Sequence, residues 1–312
     1  MPLRFTLRQL EYLVAVADCG SIALAAERVN VSSPSISAAI SQLEASFGLQ
    51  LFIRRHAQGL SLTEGGRQFT QTAREVLAQA SRLTDTAAQV TGRVAGPLAV
   101  GCLTTFAQVL LPGLRRSFQT AYPDVDFLQH EGDQAELFDS LRMARLDCAL
   151  SYDLDIPPDL DFLPLLPIAP YALLPLDHPL AGHKSVTPAD LAPHPMVLLD
   201  LPHSAAYFLS LFTDAGQRPH VTERTRDMGV MRSMVANGFG FSIANISLGT
   251  DRAPDGRQVV FVPLAPPVRP MNIGLLLPKG ATLRRAVTAF VAHCRTHVTD
   301  QALLGRTAGT HI

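Results

Sequence analysis

Three features of the sequence predict the fold class: a mainly α-helical head of winged helix-turn-helix type, one long helix, and an α/β remainder built as two lobes. Residues 1–62 are dense in short helical patterns and hold a single internal proline, Pro34. Residues 64–91 contain no proline, and no glycine after Gly66. From Gly96 onward, apolar β-type runs alternate with helical patterns, the texture of an α/β chain. A length of 312 residues allows two or three domains, and a hydrophobic content of 47% supplies a core for each.

The charge balance narrows the function. With 26 basic and 27 acidic residues the net charge is -1, which excludes a uniformly basic nucleic-acid coat and a polybasic membrane anchor. A local positive patch remains open. Only Lys184 and Lys279 are lysine, so anions will be gripped by arginine. The segment MPLRFTLRQLEYL lacks the apolar core and cleavage site of a signal peptide. No run approaches the ~18–20 uncharged apolar residues of a spanning helix. Cys19, Cys102, Cys148 and Cys294 are scattered, with no metal-ligand spacing. These observations predict a cytoplasmic protein with no metal, no cofactor and no membrane partner.

Within the head, SIALAAERVNVSSPSISAAISQLEASFG (residues 21–48) reads as helix–turn–helix. Ile22, Ala25, Ala26 and Val29 form one apolar face. Asn30 falls at the turn, where a left-handed backbone is needed and asparagine is the common substitute for glycine. Val31 plugs the two helices, Ser32 or Ser33 caps the second, and Pro34 sits in its first turn. At 100° per residue Ile36, Ile40, Leu43 and Phe47 are the buried face. The opposite face presents Pro34, Ala38, Ser41 and Ala45, flanked by Ser35, Ser37 and Gln42. It is small and neutral, so it can enter a major groove without repelling phosphates; serine and glutamine can bond base edges.

The next segment, LQLFIRRHAQGLSLT, reads as two short strands around a loop carrying Arg54, Arg55 and His56. Such a wing reaches phosphates or the minor groove. In 64–91, Phe69, Ala73, Val76, Ala80, Leu83, Ala87 and Val90 are spaced 4, 3, 4, 3, 4, 3. That heptad seam predicts a dimer helix rather than packing on the chain's own core.

Beyond Gly96, the runs PLAVGCL, LDCALSY, YALLPL, PMVLL, GFGFSIA, VVFVPL and NIGLLL alternate with helical patterns at 106–121, 134–145, 205–215 and 283–298. Parallel sheets with crossover helices follow. Pro164, Pro167 and Pro170, then Pro263, Pro266, Pro267 and Pro270, read as stiff extended crossings between lobe I (97–166 and 271–300) and lobe II (171–267). No internal repeat is evident.

The first ~90 residues resemble the LysR-type transcriptional regulators throughout LRQLEYLVAVADCGSIALAAERVNVSSPSISAAISQLEASFGLQLFIRRHAQGLSLTEGG, and the two-lobed remainder resembles that family's effector domain. The resemblance implies a winged helix-turn-helix DNA-binding domain (1–62), a linker and dimerisation helix (63–92), a periplasmic-binding-protein-like effector domain (93–300) and a tail (301–312). In the family, Gln, Pro, Ser and Arg are frequent where this chain has Ser33, Pro34, Ser37 and Ala38. The Ser and Ala here move recognition toward Ser37, Gln42, Arg54, Arg55 and DNA shape. The resemblance further implies a homodimer or homotetramer that binds and bends promoter DNA and works with RNA polymerase.

Two strand-to-helix junctions, 101–105 and 200–204, carry cap-type residues Thr104, Thr105 and Ser204, with His203 beside them. The resemblance implies effector contacts at both, and at Gln134, Ser242 and Asn245; Asp147 is a further candidate. Helix ends facing each other predict a small anionic effector, a carboxylate. Two alternatives stand beside this reading: a redox sensor acting through Cys102 and Cys148, and a two-lobed enzyme. Against the enzyme, no G-x-S-x-G elbow, P-loop or dinucleotide turn is present.

Overall fold

The computed structural model describes residues 4–55, 59–91, 93–265 and 268–299. The chain forms two compact units, one running to Arg93 and one from Val94 onward, with Met143–Arg145 grouped with the first.

The first unit begins with α1 (Leu7–Cys19), α2 (Ile22–Arg28) and α3 (Ser33–Phe47). Thr6 and Gln9 form a reciprocal capping box that starts α1. Asn30 has φ 54°, the left-handed turn its residue type predicts. Ser32, not Ser33, caps α3 by accepting from the Ser35 N–H, and Pro34 lies in the first turn where its missing N–H costs nothing. Ile36, Ile40 and Leu43 enter a core with Leu10, Leu13, Val16, Ala25 and Ala26. Phe47 departs from the predicted buried face. It is 45% exposed at the last residue of α3, with the rings of Phe5 and Phe69 beside it.

Strands β1 (Phe52–Arg55) and β2 (Gly59–Leu62) pair antiparallel as the wing. Arg54 and Arg55 belong to the first strand rather than to the loop; their side chains and His56 lie outside the described residues. The Leu60 N–H donates to the Gly20 carbonyl at 2.9 Å, tying the wing to the α1–α2 turn. Helix α4 (Glu64–Thr91) follows. At its start Gly66 is obligatory, since a Cβ there would stand 2.1 Å from the Leu51 carbonyl oxygen.

The heptad seam is divided in its use. Ala73 is buried in the head's core, with Phe69, Val76 and Leu77 packed beside it. The first half of the seam therefore closes the chain's own domain, contrary to a seam given wholly to a partner. Leu83 stands 76% exposed; the side chains of Ala87 and Val90 lie outside the described residues.

The second unit contains β3 (Gly96–Leu103), α5 (Thr104–Ala121), β4 (Val125–Gly132), α6 (Gln134–Arg142), β5 (Cys148–Tyr152), β6 (Leu160–Ile168), β7 (Tyr171–Pro175), α7 (Pro188–Leu191), β8 (Pro195–Leu199), α8 (Ser204–Asp214), β9 (His220–Thr225), α9 (Met228–Ala236), β10 (Ser242–Ala244), β11 (Val259–Pro263), β12 (Met271–Pro278) and α10 (Arg285–His297). Lobe I is a five-stranded sheet of order β4-β3-β5-β12-β6. In lobe II, β8 pairs with β9, and β10-β7-β11 form a second run. Bonds between Val197 and Phe241 and between Phe241 and Pro195 join the two runs into β9-β8-β10-β7-β11. Both lobes thus repeat one topology, a βαβαβ unit followed on one side by two further strands, with no repeat visible in the residues.

Two sequence expectations are corrected here. The sheets are mixed rather than parallel: β12 runs antiparallel to β5 and β6, and β10 and β11 run antiparallel to β7, because the strands beside the crossings complete each sheet without a crossover helix. Pro164 and Pro167 lie inside β6, not in a crossing. An edge strand has one side free of ladder bonds, so proline's missing donor is tolerated there. Pro266 and Pro267 lie outside the described residues.

Candidate functional site

On α3, Pro34, Ser35, Ser37, Ala38, Ser41, Gln42 and Ala45 are exposed together, and Ser33 is half-buried. The helix brings the predicted small, neutral face into one surface. Two of its members have internal partners: Ser35 bonds Ser32 at 2.8 Å, and Gln42 accepts from the Gln9 amide at 2.9 Å. The nearest carboxylate is turned to structural use. Glu44 accepts the N–H groups of Leu51 at 2.7 Å and Phe52 at 3.4 Å, so it fixes the entry to the wing and is spent as a charge on the face.

Behind this face, Arg74 of α4 pairs with Asp18 of α1, both side chains nearly buried, and Arg28 joins Asp18 at 3.4 Å. This cluster fixes the first turns of the long helix to the head.

In the second unit a cavity of about 500 Å³ opens between the lobes. Lobe I contributes Thr104, Thr105, Gln108, Gln129 and Glu131; lobe II contributes Leu201 and the run Arg226, Asp227, Met228 and Gly229. Thr104 and Thr105 are therefore in the wall as predicted. The facing wall comes from the start of α9, a helix outside the four helical patterns of the sequence, and not from His203 or Ser204.

The remaining predicted residues do not line the cavity. Thr105 Oγ1 bonds the Tyr152 hydroxyl at 3.3 Å, which donates in turn to Asn245 at 3.3 Å. A buried polar chain thus runs from the cavity wall to lobe II, and burial pushes the Tyr152 hydroxyl far above its ordinary range. Gln134 is fully buried, its amide donating to the carbonyls of Tyr152 and Leu154. Gln134 Oε1, Ser204 Oγ and Ser242 Oγ are buried with no hydrogen-bond partner among the described residues. His203 holds a left-handed backbone at φ 63° and bonds Asp155 at 2.8 Å. Asp147 accepts from the Ala99 N–H and pairs with Arg284, away from the cavity.

The cavity's charges differ from those a carboxylate requires. Arg226, the one cation among the described lining residues, donates to Asp133 across the lobes at 2.8 Å, while Glu131 and Asp227 add two carboxylates. Cys102 and Cys148 are fully buried, and burial raises both thiols well above their usual range, so neither presents a thiolate. The redox alternative gains no support from this geometry. Among the described residues no single helix is long and apolar enough to cross a membrane, and no group of three or more His, Cys, Asp or Glu is placed to hold a metal.

A winged helix-turn-helix with a bare recognition face, followed by two lobes around a ligand-sized cavity, defines an effector-responsive transcriptional regulator. Residues 7–67 match the bacterial regulatory helix-turn-helix proteins of the lysR family, and residues 91–299 match the LysR substrate binding domain. The chain belongs to the LysR family of transcriptional regulators. It is similar to HinK of Pseudomonas aeruginosa (38% identity, 94% of this chain and 99% of that one, TM-score 0.64). It is 29% identical to the DNA-binding transcriptional dual regulator OxyR of Escherichia coli K12, over 89% of this chain and 91% of that one. CbnR, solved in complex with its target DNA, aligns at 26% identity and TM-score 0.67 over 94% of this chain and all of that one.

Proposed function

We propose that this regulator reads duplex promoter DNA through Ser33, Pro34, Ser35, Ser37, Ala38, Ser41 and Gln42 of α3, held down by Arg54 and Arg55 of the wing. The observation that carries the reading is the α3 face itself: small, exposed, and cleared of carboxylate by the inward turn of Glu44. Arginines on the wing supply phosphate contacts, and base or shape readout supplies the sequence preference.

Two copies join through the second half of α4, where Leu83 stands uncovered. A fixed spacing between two heads requires an operator with an inverted repeat. A small molecule in the cavity favours one closure of the lobes. It changes DNA bending and access of RNA polymerase only by its differential affinity for the two states. Thr104 and Thr105 touch it directly. Gln134, His203, Ser204, Ser242 and Asn245 act on it through the buried network and the lobe junction. The protein works in the cytoplasm, as a homodimer or homotetramer, and carries out no reaction of its own.

Selection from a randomised duplex pool tests the reading. Enrichment of an inverted repeat, with retention that weakens steeply as salt rises, is the expected result. A pool that stays random at low ionic strength contradicts it.

A further inference from the structure

We propose that the effector is a small organic cation, a primary amine whose ammonium group sits between Glu131 and Asp227 and whose other end offers a hydrogen-bond acceptor to Thr104. The inference rests on the cavity being the effector site.

The two carboxylates come from opposite lobes: Glu131 lies one residue before the end of β4 in lobe I, and Asp227 precedes α9 in lobe II. Neither forms an ion pair with an arginine or lysine among the described residues. Glu131 takes only the amide of Gln129, and Asp227 takes the N–H of Val230 as the cap of α9. The only cation among the described lining residues is already matched, since Arg226 is bound to Asp133. The cavity therefore carries uncompensated negative charge on both walls.

Bringing those walls together raises their mutual repulsion as water leaves. A cation between them reverses the sign of that term, so its affinity for the closed cleft exceeds that for the open one. That difference is what an effector needs in order to shift a conformational balance. A carboxylate ligand would face both like charges and would have to take Arg226 from Asp133. The start of α5 sets the other end of the molecule. Leu103 provides no side-chain cap there, so the first N–H groups of α5 and the exposed Thr104 hydroxyl call for an acceptor.

Isothermal calorimetry and thermal shift on the full-length protein test this with ethanolamine, 3-aminopropanol and tyramine against glycolate, 3-hydroxypropanoate and 4-hydroxyphenylacetate. The amines should bind and raise the melting midpoint, and the matched carboxylates should not. Glu131→Gln and Asp227→Asn should each weaken the amine about tenfold, the weight of one charge-assisted contact. Asparagine still caps α9, which keeps the second variant folded. The proposal is overturned if the carboxylates bind and the amines do not, if no amine binds at millimolar concentration, or if amine affinity is unchanged in both variants. Retention of the selected duplex, measured on the same preparations, separates the two levels. If retention persists and responds to a carboxylate, the regulator stands and the cation falls. If no duplex is retained, the DNA-binding reading fails whatever the cleft binds.

Discussion

Arg226, at the start of α9, donates to the carboxylate of Asp133 at 2.8 Å and so bridges lobe II to lobe I beside the cavity. Asp133 is also held by its own lobe, accepting from the Glu136 N–H at 3.0 Å. The pair is a latch with one fixed jaw and one exposed jaw, since the Arg226 side chain is 69% open to solvent. Screening keeps such a bond weak, below about 1 kcal/mol. Arg226→Gln should therefore hardly change the urea midpoint, yet enlarge the scattering radius of the free protein as the lobes part. A stability loss above about 2 kcal/mol would mean the pair is structural rather than a latch.

On DNA, Arg54→Ala should lower affinity for all duplexes and flatten the salt dependence by about one unit of slope, as expected for one lost phosphate contact. Ser37→Ala should leave that slope alone and alter the preferred sequence. Footprints identical to wild type in both variants would remove α3 and the wing from the interface.

Leu83→Glu should move the protein toward monomer in sedimentation equilibrium, because the side chain is 76% exposed on one subunit and a charge would be buried in a paired seam. The fold of the head should survive, since Ala73 and Val76, not Leu83, pack against it. An unchanged molecular mass would place the dimer contact elsewhere.

Arg74→Ala should destabilise the first unit by about 2–3 kcal/mol, because it leaves Asp18 largely buried with only the longer contact to Arg28. Thermal melting of the full chain, followed by loss of operator retention, would report it. A change within experimental scatter would show that α4 is held by apolar packing alone.

The pH response of lobe II follows from His178. Burial first, and then the His194 ring 4.5 Å away, hold its pKa below the ordinary 6.5; Asp177 acts weakly the other way. Its Nδ1 accepts from the Leu180 N–H at 3.2 Å, a bond that protonation would break. With the folded value below the unfolded one, the unfolded chain binds more protons as pH drops through 6.5. Stability is full above that point and declines below it toward the folded value. His178→Gln should flatten the fall in melting midpoint between about pH 7.5 and about pH 5. A wild-type midpoint that rises on acidification would contradict the assignment.

The sequence by itself determined the head. The Asn30 turn, the cap at Ser32, the buried set Ile36, Ile40 and Leu43 and the neutral face opposite are all written within one or two helical turns, where periodicity and cap chemistry act locally. It also carried the α/β alternation and Thr104 and Thr105 in the cavity wall. Tertiary structure alone decided the rest. Edge position made a strand of the Pro164–Pro167 stretch, and the return of β12 beside β5 made the lobe I sheet mixed. The cavity's facing wall and its charge depend on groups such as Asp133 and Arg226, 93 positions apart. Their meeting leaves no local pattern, because it is set by how the two lobes pack within one compact unit and not by the spacing of residues along the chain.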